Sequence, residues 1–215
     1  MPPLVILRPE PGASATADKA RAMGLNAVTV PLFEVVPVPW AAPDPGAFDS
    51  IVMTSANAIR HGGAELERLK GLPVRAVGAA TAAAAREAGF SVTAIGDGGV
   101  ANMVLPPGER LLHLAGRAHL PSDAAMTIPV YEARPIEDPA GLETLAECVI
   151  AVHSPRAGRR LAELISDRSQ SFIVAISAAA AEACGAGWKQ VQAAPQPNDP
   201  ALLALAARLC DTPQR

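Results

Sequence analysis

Six short stretches place a hydroxyl, a glycine or an arginine where an apolar run turns into helix-compatible sequence. They are Arg8-Pro9-Glu10, Thr54-Ser55-Ala56-Asn57, Gly78-Ala79-Ala80-Thr81, Gly116-Arg117, His153-Ser154-Pro155-Arg156 and Ser177-Ala178-Ala179-Ala180. A buried strand that hands over to a helix leaves the first helical N–H groups without partners. Those donors, with the helix dipole, attract carboxylates or phosphates. Capping alone explains a serine before a helix, so neither Ser55 nor Ser154 is diagnostic singly. Gly78 could serve only close packing, and Thr81 only the first helical turn. Recurrence of such turns along the chain is what points to a ligand rich in negative charge. Arg8, Arg117 and Arg156 each follow a predicted strand, where they pair with a carboxylate or stand as plain surface arginines. Tyr131 is the only tyrosine. Its phenol can give a proton to a leaving group, or it can fill space against Phe33 or Trp40.

Other chemistries are not encoded. His61, His113, His119 and His153 share no metal-ligand spacing. His113 falls inside a predicted strand and reads as a core or sheet-face residue, and only His153 lies at a strand mouth. The chain has no G-x-S-x-G elbow, no P-loop and no G-x-G-x-x-G fingerprint. Gly96-Asp97-Gly98-Gly99 is a turn with no strong chemistry. No metal is expected.

The elements that must hold these turns alternate. Strands are expected at Leu4–Leu7, Ala27–Val30, Ile51–Thr54, Arg75–Val77, Val92–Ile95, Leu111–Leu114, 149–152, 172–176 and 189–193. Helices are expected at Ser14–Met23, from Ser55 to about Leu69, at Ala79–Ala88, 155–165, 178–184 and 200–210. Such alternation predicts an α/β fold with parallel sheets flanked by helices. The apolar run ending in Ser55 resembles the one ending in Ser154, and each is followed by a second unit of the same style. The repeat predicts two lobes with a cleft between them. Residues 1–35 with 134–215 form one discontinuous lobe and 38–129 the other. Proline-marked connectors near 31–38 and 127–135 pair as a two-stranded bridge.

The bulk numbers agree with two small domains. The chain has 215 residues, half of them hydrophobic but only 3% aromatic, so its cores are built from Val, Leu, Ile and Ala. A net charge of −3 with no lysine-rich run argues against a nucleic-acid or membrane-surface binder. Cys148, Cys184 and Cys210 form no CxxC pair, which fits a reducing cytosol rather than a disulfide framework or zinc site. The first residues lack the basic region of a signal peptide, and no apolar run approaches the roughly 20 residues of a membrane span. A cytoplasmic monomer is the expectation.

The chain resembles the uroporphyrinogen-III synthase family. The resemblance rests on Leu7-Arg8-Pro9, on Phe48-Asp49-Ser50-Ile51-Val52-Met53-Thr54-Ser55-Ala56-Asn57-Ala58, on Ala76-Val77-Gly78 with Thr81 and Gly89, on Pro129-Val130-Tyr131, and on Ser154 after its strand. It implies two α/β lobes joined by a two-stranded ladder, and a cofactor-free, lyase-type cyclisation of hydroxymethylbilane. In that reaction the terminal hydroxyl leaves as water and the last pyrrole ring inverts through a spiro intermediate. The product feeds haem, sirohaem or chlorophyll-type synthesis. By the same resemblance Tyr131 assists departure of the hydroxyl. Ser55, Asn57, Gly78, Thr81, Ser154 and Ser177 lie at turns that hold the substrate's carboxylates, and Arg8, Gly116, Arg117 and Arg156 join them as candidates. The free bilane closes unaided to the non-inverted isomer, so catalysis is mainly positioning. Transient contact with the preceding pathway enzyme is an expected partnership. Two features depart from the family. The second glycine motif reads Ile176-Ser177-Ala178-Ala179-Ala180, without glycine or threonine, and the stretch from Gly116 to Tyr131, with Pro121 in it, is short for a helix and strand. The competing expectation is a two-lobed binder of an anionic tetrapyrrole that does no chemistry.

Overall fold

The computed structural model describes residues 2–96, 108–119 and 125–211. Asp97, Gly98 and Gly99 of the glycine-rich turn, and Pro121, lie outside the described residues. The chain divides into two units, Met1–Glu34 with Pro135–Arg215, and Val35–Arg134.

The first unit is a five-stranded parallel sheet. Its strands are β1 (Leu4–Ile6) and β2 (Ala27–Thr29), then β9 (Val149–Val152), β10 (Phe172–Ala175) and β11 (Gln190–Ala193), in the order β11-β10-β9-β1-β2. All three residues of β1 and all four of β9 are buried. A parallel sheet covered on both faces demands such uninterrupted apolar runs. Leu4, Ile6, Val149, Ala151 and Val174 pack with α1 (Gly12–Ala22) and α6 (Asp199–Asp211) in one core. Val5, Ile150 and Val152 alternate with these and are equally buried. α4 (Pro155–Leu164) lies on β9 and on α5 (Ala178–Ala183), which lies on β10 and β11. The α4–α5 contact is close. A Cβ on Gly158 would meet the Ala180 carbonyl oxygen at 2.9 Å and Cys184 Sγ at 3.0 Å.

The second unit is built on β4 (Ser50–Met53), β5 (Val74–Val77), β6 (Val92–Gly96), β7 (Leu111–Gly116) and β8 (Ala125–Pro135), with β3 (Phe33–Pro37) at one edge, in the order β3-β8-β7-β4-β5-β6. β8, β7, β4, β5 and β6 are mutually parallel. Beside β3 and β8, the Val38 N–H bonds the Val130 oxygen at 3.2 Å and the Ile136 N–H bonds the Leu32 oxygen at 3.0 Å. The residue numbers run in opposite directions, so this pairing is antiparallel. The two connectors thus pair, and they extend the sheet of the second unit, which makes it mixed. Pro37 ends β3 on the sheet edge, where a missing N–H leaves no gap in a ladder. One face of the sheet carries the core of Ile51, Met53, Leu66, Leu69, Leu112, Leu114 and Val130. α2 (Asn57–His61) and α3 (Ala79–Glu87) contribute to it through Ala58, Ala82 and Ala85.

One expectation needs correction. The single helix expected from Ser55 to about Leu69 is a five-residue α2 followed by a 3-10 helix, Gly63–Leu69. The cause is Gly62-Gly63: Gly63 sits at φ +66°, in the left-handed region that ends helices. Between β7 and β8 the described residues, Arg117–His119, are not helical. Among the described residues no helix is long and apolar enough to cross a membrane.

Gly158→Ala is expected to destabilise the protein by about 2 kcal/mol, because backbone must shift to admit the methyl. Gly71→Ala, with no atom within 4 Å of the added Cβ, should stay within about 0.5 kcal/mol of wild type. Denaturant unfolding of both variants against wild type checks this, and equal midpoints would refute the close-packing account.

Candidate functional site

Each sheet reverses its strand order once. In the first unit the chain moves from β1 to β2 on one side and later adds β9, β10 and β11 on the other. In the second unit β5 and β6 lie on one side of β4, and β7 and β8 on the other. Loops leaving two neighbouring strands on opposite sides diverge there, and open α/β sheets bind ligands at the carboxyl end of that point. The reversals therefore single out Arg8 beside His153 and Ser154, and Thr54 and Ser55 beside Gly116.

In the first unit Ser154 and Ser177 are helix caps. Ser154 Oγ accepts the Ala157 N–H at 3.1 Å, with Pro155 pre-set at the first helical position. Ser177 Oγ accepts the Ala180 N–H at 3.3 Å. Each such cap is worth about 1 kcal/mol. Arg156 lies over the Phe33 ring, 4.6 Å from its centroid. Arg8 is held by a carboxylate that sequence reasoning missed. Its Nη1 donates to Asp199 Oδ1 at 3.3 Å and to Thr16 Oγ1 at 3.2 Å. Thr16 Oγ1 and Lys19 Nζ bond Asp199 Oδ2 at 3.0 and 2.9 Å. His153 Nε2 lies 3.5 Å from Asp199 Oδ1, yet neither of its ring nitrogens makes an aligned hydrogen bond among the described residues. The close approach of His153, then Lys19 and Arg8, holds the Asp199 carboxyl well below the usual carboxylate range against the cost of its burial. No local pattern marks Asp199. Asn198 caps α6 by accepting the Ala201 N–H at 2.9 Å, and Asp199 next to it crosses to a partner 191 positions away.

In the second unit Ser55 Oγ accepts the Asn57 N–H at 3.2 Å, so it turns the chain two residues ahead of α2, whose N-cap residue is Ala56. Asn57 Oδ1 accepts from Arg60 at 3.3 Å. Gly78 opens α3 at φ +81° with no side-chain cap, and its N–H bonds the Gly96 oxygen at 2.8 Å. A Cβ would be strained at that φ. Thr81 is buried, so its side chain faces the core rather than the turn. Arg117 is exposed and its Nε bonds Glu132 Oε2 at 2.8 Å, a carboxylate shared with Arg134.

Tyr131 owes its place to a register shift. β7 and β8 pair residue for residue up to Ala115 opposite Pro129, then slip by one, so that Gly116 faces Tyr131. Simple alternation would have left Tyr131 on the face of Thr127 and Pro129. A one-residue slip reverses sides, and Tyr131 packs against the core that Val130 also joins. Gly116 is the space it needs, since a Cβ there would fall 2.8 Å from the ring's Cζ and 3.1 Å from its hydroxyl. The His61 ring stands 6.4 Å from the Tyr131 ring, tilted by 37°.

The opposite face carries a polar network that the sequence hid. His113, 3% exposed, lies between Val52 and Thr127 in register. Its Nε2 and Nδ1 are each 3.4 Å from a hydroxyl, Thr54 Oγ1 and Thr127 Oγ1. His119 stands edge-on to it at 6.2 Å and uses Nδ1 to reach the Gly116 carbonyl at 3.1 Å. A carbonyl only accepts, so His119 carries its proton on Nδ1. Burial, with a smaller push from His119, lowers the His113 pKa to about 4. Among the described residues no group of His, Cys, Asp or Glu is arranged to hold a metal.

Because the unfolded chain binds a proton at His113 below about pH 6.5 and the folded chain does not until about pH 4, stability rises with pH across that window and is lost as pH falls through it. The full effect is roughly 3 kcal/mol. His61, lowered chiefly by burial, acts in the same direction. Urea midpoints measured from pH 7 down to 4.5 should fall for wild type and fall less for His113→Gln. An equal slope in both would refute the assignment.

A family model described as uroporphyrinogen-III synthase HemD matches residues 14–204. Among solved structures, uroporphyrinogen-III synthetase from Helicobacter pylori is 17% identical over 97% of this chain and 100% of that one, with a TM-score of 0.69. A mutant uroporphyrinogen III synthase from the extremely thermophilic bacterium Thermus thermophilus is 17% identical over 97% and 98%, with a TM-score of 0.55. At that identity both speak for the fold alone. A search of curated proteins finds no match.

Proposed function

The chain belongs to the uroporphyrinogen-III synthase family, and from that premise we propose that it closes hydroxymethylbilane to uroporphyrinogen III as a cofactor-independent carbon–oxygen lyase. The terminal hydroxyl leaves as water and the last pyrrole ring is inverted. The observation that supports this most is the placing of Tyr131, whose ring the β7–β8 slip sets against a residue with no side chain.

In this reading the Tyr131 phenol gives a proton to the departing hydroxyl. The ring carbon that finally bonds loses its hydrogen as a proton, so the cycle consumes none, and the phenol can be restored. The carboxylates are held at the turns of Ser55–Asn57, Gly78–Thr81, Gly116-Arg117, Ser154–Arg156 and Ser177, mainly by backbone N–H groups. Arg8, Arg117 and Arg156 are engaged with Asp199, Glu132 and Phe33. They would reach a substrate carboxylate by sharing those partners. Hydroxymethylbilane from the preceding pathway enzyme is the small-molecule partner, taken up by a cytoplasmic monomer. Positioning and charge stabilisation carry the rate, so no strong acid–base pair is needed.

The test is an isomer assay. Purified protein receives freshly generated hydroxymethylbilane, with and without a chelator, and the oxidised uroporphyrins are separated. Isomer III should dominate at catalytic protein levels, unaffected by the chelator, and Tyr131→Phe should lower kcat about 100-fold. Isomer I alone, at the rate seen without protein, overturns the reading in favour of a binder that does no chemistry.

A further inference from the structure

We infer that His61 is a positioning residue for the Tyr131 phenol, an inference that rests on the role proposed for Tyr131 above. The β7–β8 slip turns Tyr131 toward the face that carries α2, and His61 is the last residue of that helix. The two half-buried rings stand 6.4 Å apart, within the range where tilted rings attract. The Gly116 backbone limits the Tyr131 ring at the position where a Cβ would be, and among the described residues His61 is the aromatic ring that stands beside it. Among the described residues the phenol makes no hydrogen bond, so ring contacts, rather than a bond to the oxygen, set its direction.

His61 is itself fixed by the backbone beyond it. α2 stops at Gly62, where a Cβ would lie 2.6 Å from the Ala58 carbonyl oxygen and 2.8 Å from the Leu66 side chain. Trp40 Nε1 donates to the Gly62 carbonyl at 2.8 Å. Burial and the neighbouring Arg60 lower the pKa of His61, so at neutral pH the ring beside the phenol is uncharged and acts by shape. An aromatic ring of another chemistry should therefore replace it, and a methyl group should not.

The experiment is a double-mutant cycle on the intact chain, read as kcat and KM for formation of isomer III. His61→Ala should lower kcat about fivefold with KM within about twofold, whereas His61→Phe should keep at least about half of kcat. In the Tyr131→Phe background, His61→Ala should cost nothing more. The single tyrosine gives a second readout, because its ring resonances in tyrosine-labelled protein report Tyr131 alone. They should move in His61→Ala and return toward wild type in His61→Phe. A full fivefold loss on top of Tyr131→Phe, or Tyr131 resonances unmoved by His61→Ala, overturns the inference and leaves the role of Tyr131 standing. If Tyr131→Phe alone runs at the wild-type rate, the role of the phenol falls and the inference falls with it.

Discussion

The reversal of strand order beside the founding strand of each sheet is the constraint from which the rest follows. It puts helices on both faces of the first unit's sheet, which is why β1 and β9 are buried throughout. It also parts the loops at the carboxyl ends of two neighbouring strands, which leaves room for a ligand among unpaired N–H groups. Arg8, His153 and Ser154 gather at one such place. Thr54, Ser55 and Gly116 gather at the other.

The two reversal points are furnished differently. The first is dominated by charge, with Asp199 drawing Arg8, Lys19, Thr16 and His153 together. The second is dominated by rings and hydroxyls, with His113 tied to Thr54 and Thr127 and Tyr131 turned onto the opposite face. A charged network tolerates exchange of one anion for another, since its cations can reorient. A packed ring does not, because its direction is set by neighbours in contact with it. The role proposed for Tyr131 draws on the second kind of site, a ring set by packing.

Much of this was legible in the chain. Strands such as Val149–Val152 are apolar runs with clear ends, and period alone locates them. Ser154 and Ser177 sit one residue before their helices, as caps must. Four features were hidden, each for a physical reason. The break in the helix after Ser55 depends on which conformation Gly62-Gly63 adopts, and glycine permits several. Asp199 acts across 191 positions, beyond any local pattern. The slip that turns Tyr131 is a property of two strands together and is written in neither. The polar role of His113 likewise comes from Thr54 and Thr127, which alternation places on its face only once the register is known.

The order of the strands in the first unit also has a consequence for the ribosome. β1 lies in the interior of its sheet, between β2 and β9. β2 follows within a few dozen residues, but residues 35–148 must be made before β9 exists. At bacterial or eukaryotic elongation speeds that is a delay of roughly 6–20 s. For that time Leu4–Ile6 has an open edge and an uncovered apolar surface, while the strands of the other unit emerge in uninterrupted succession. The nascent chain therefore completes its inserted unit first, and β1, made before that unit, gains its β9 neighbour only after it.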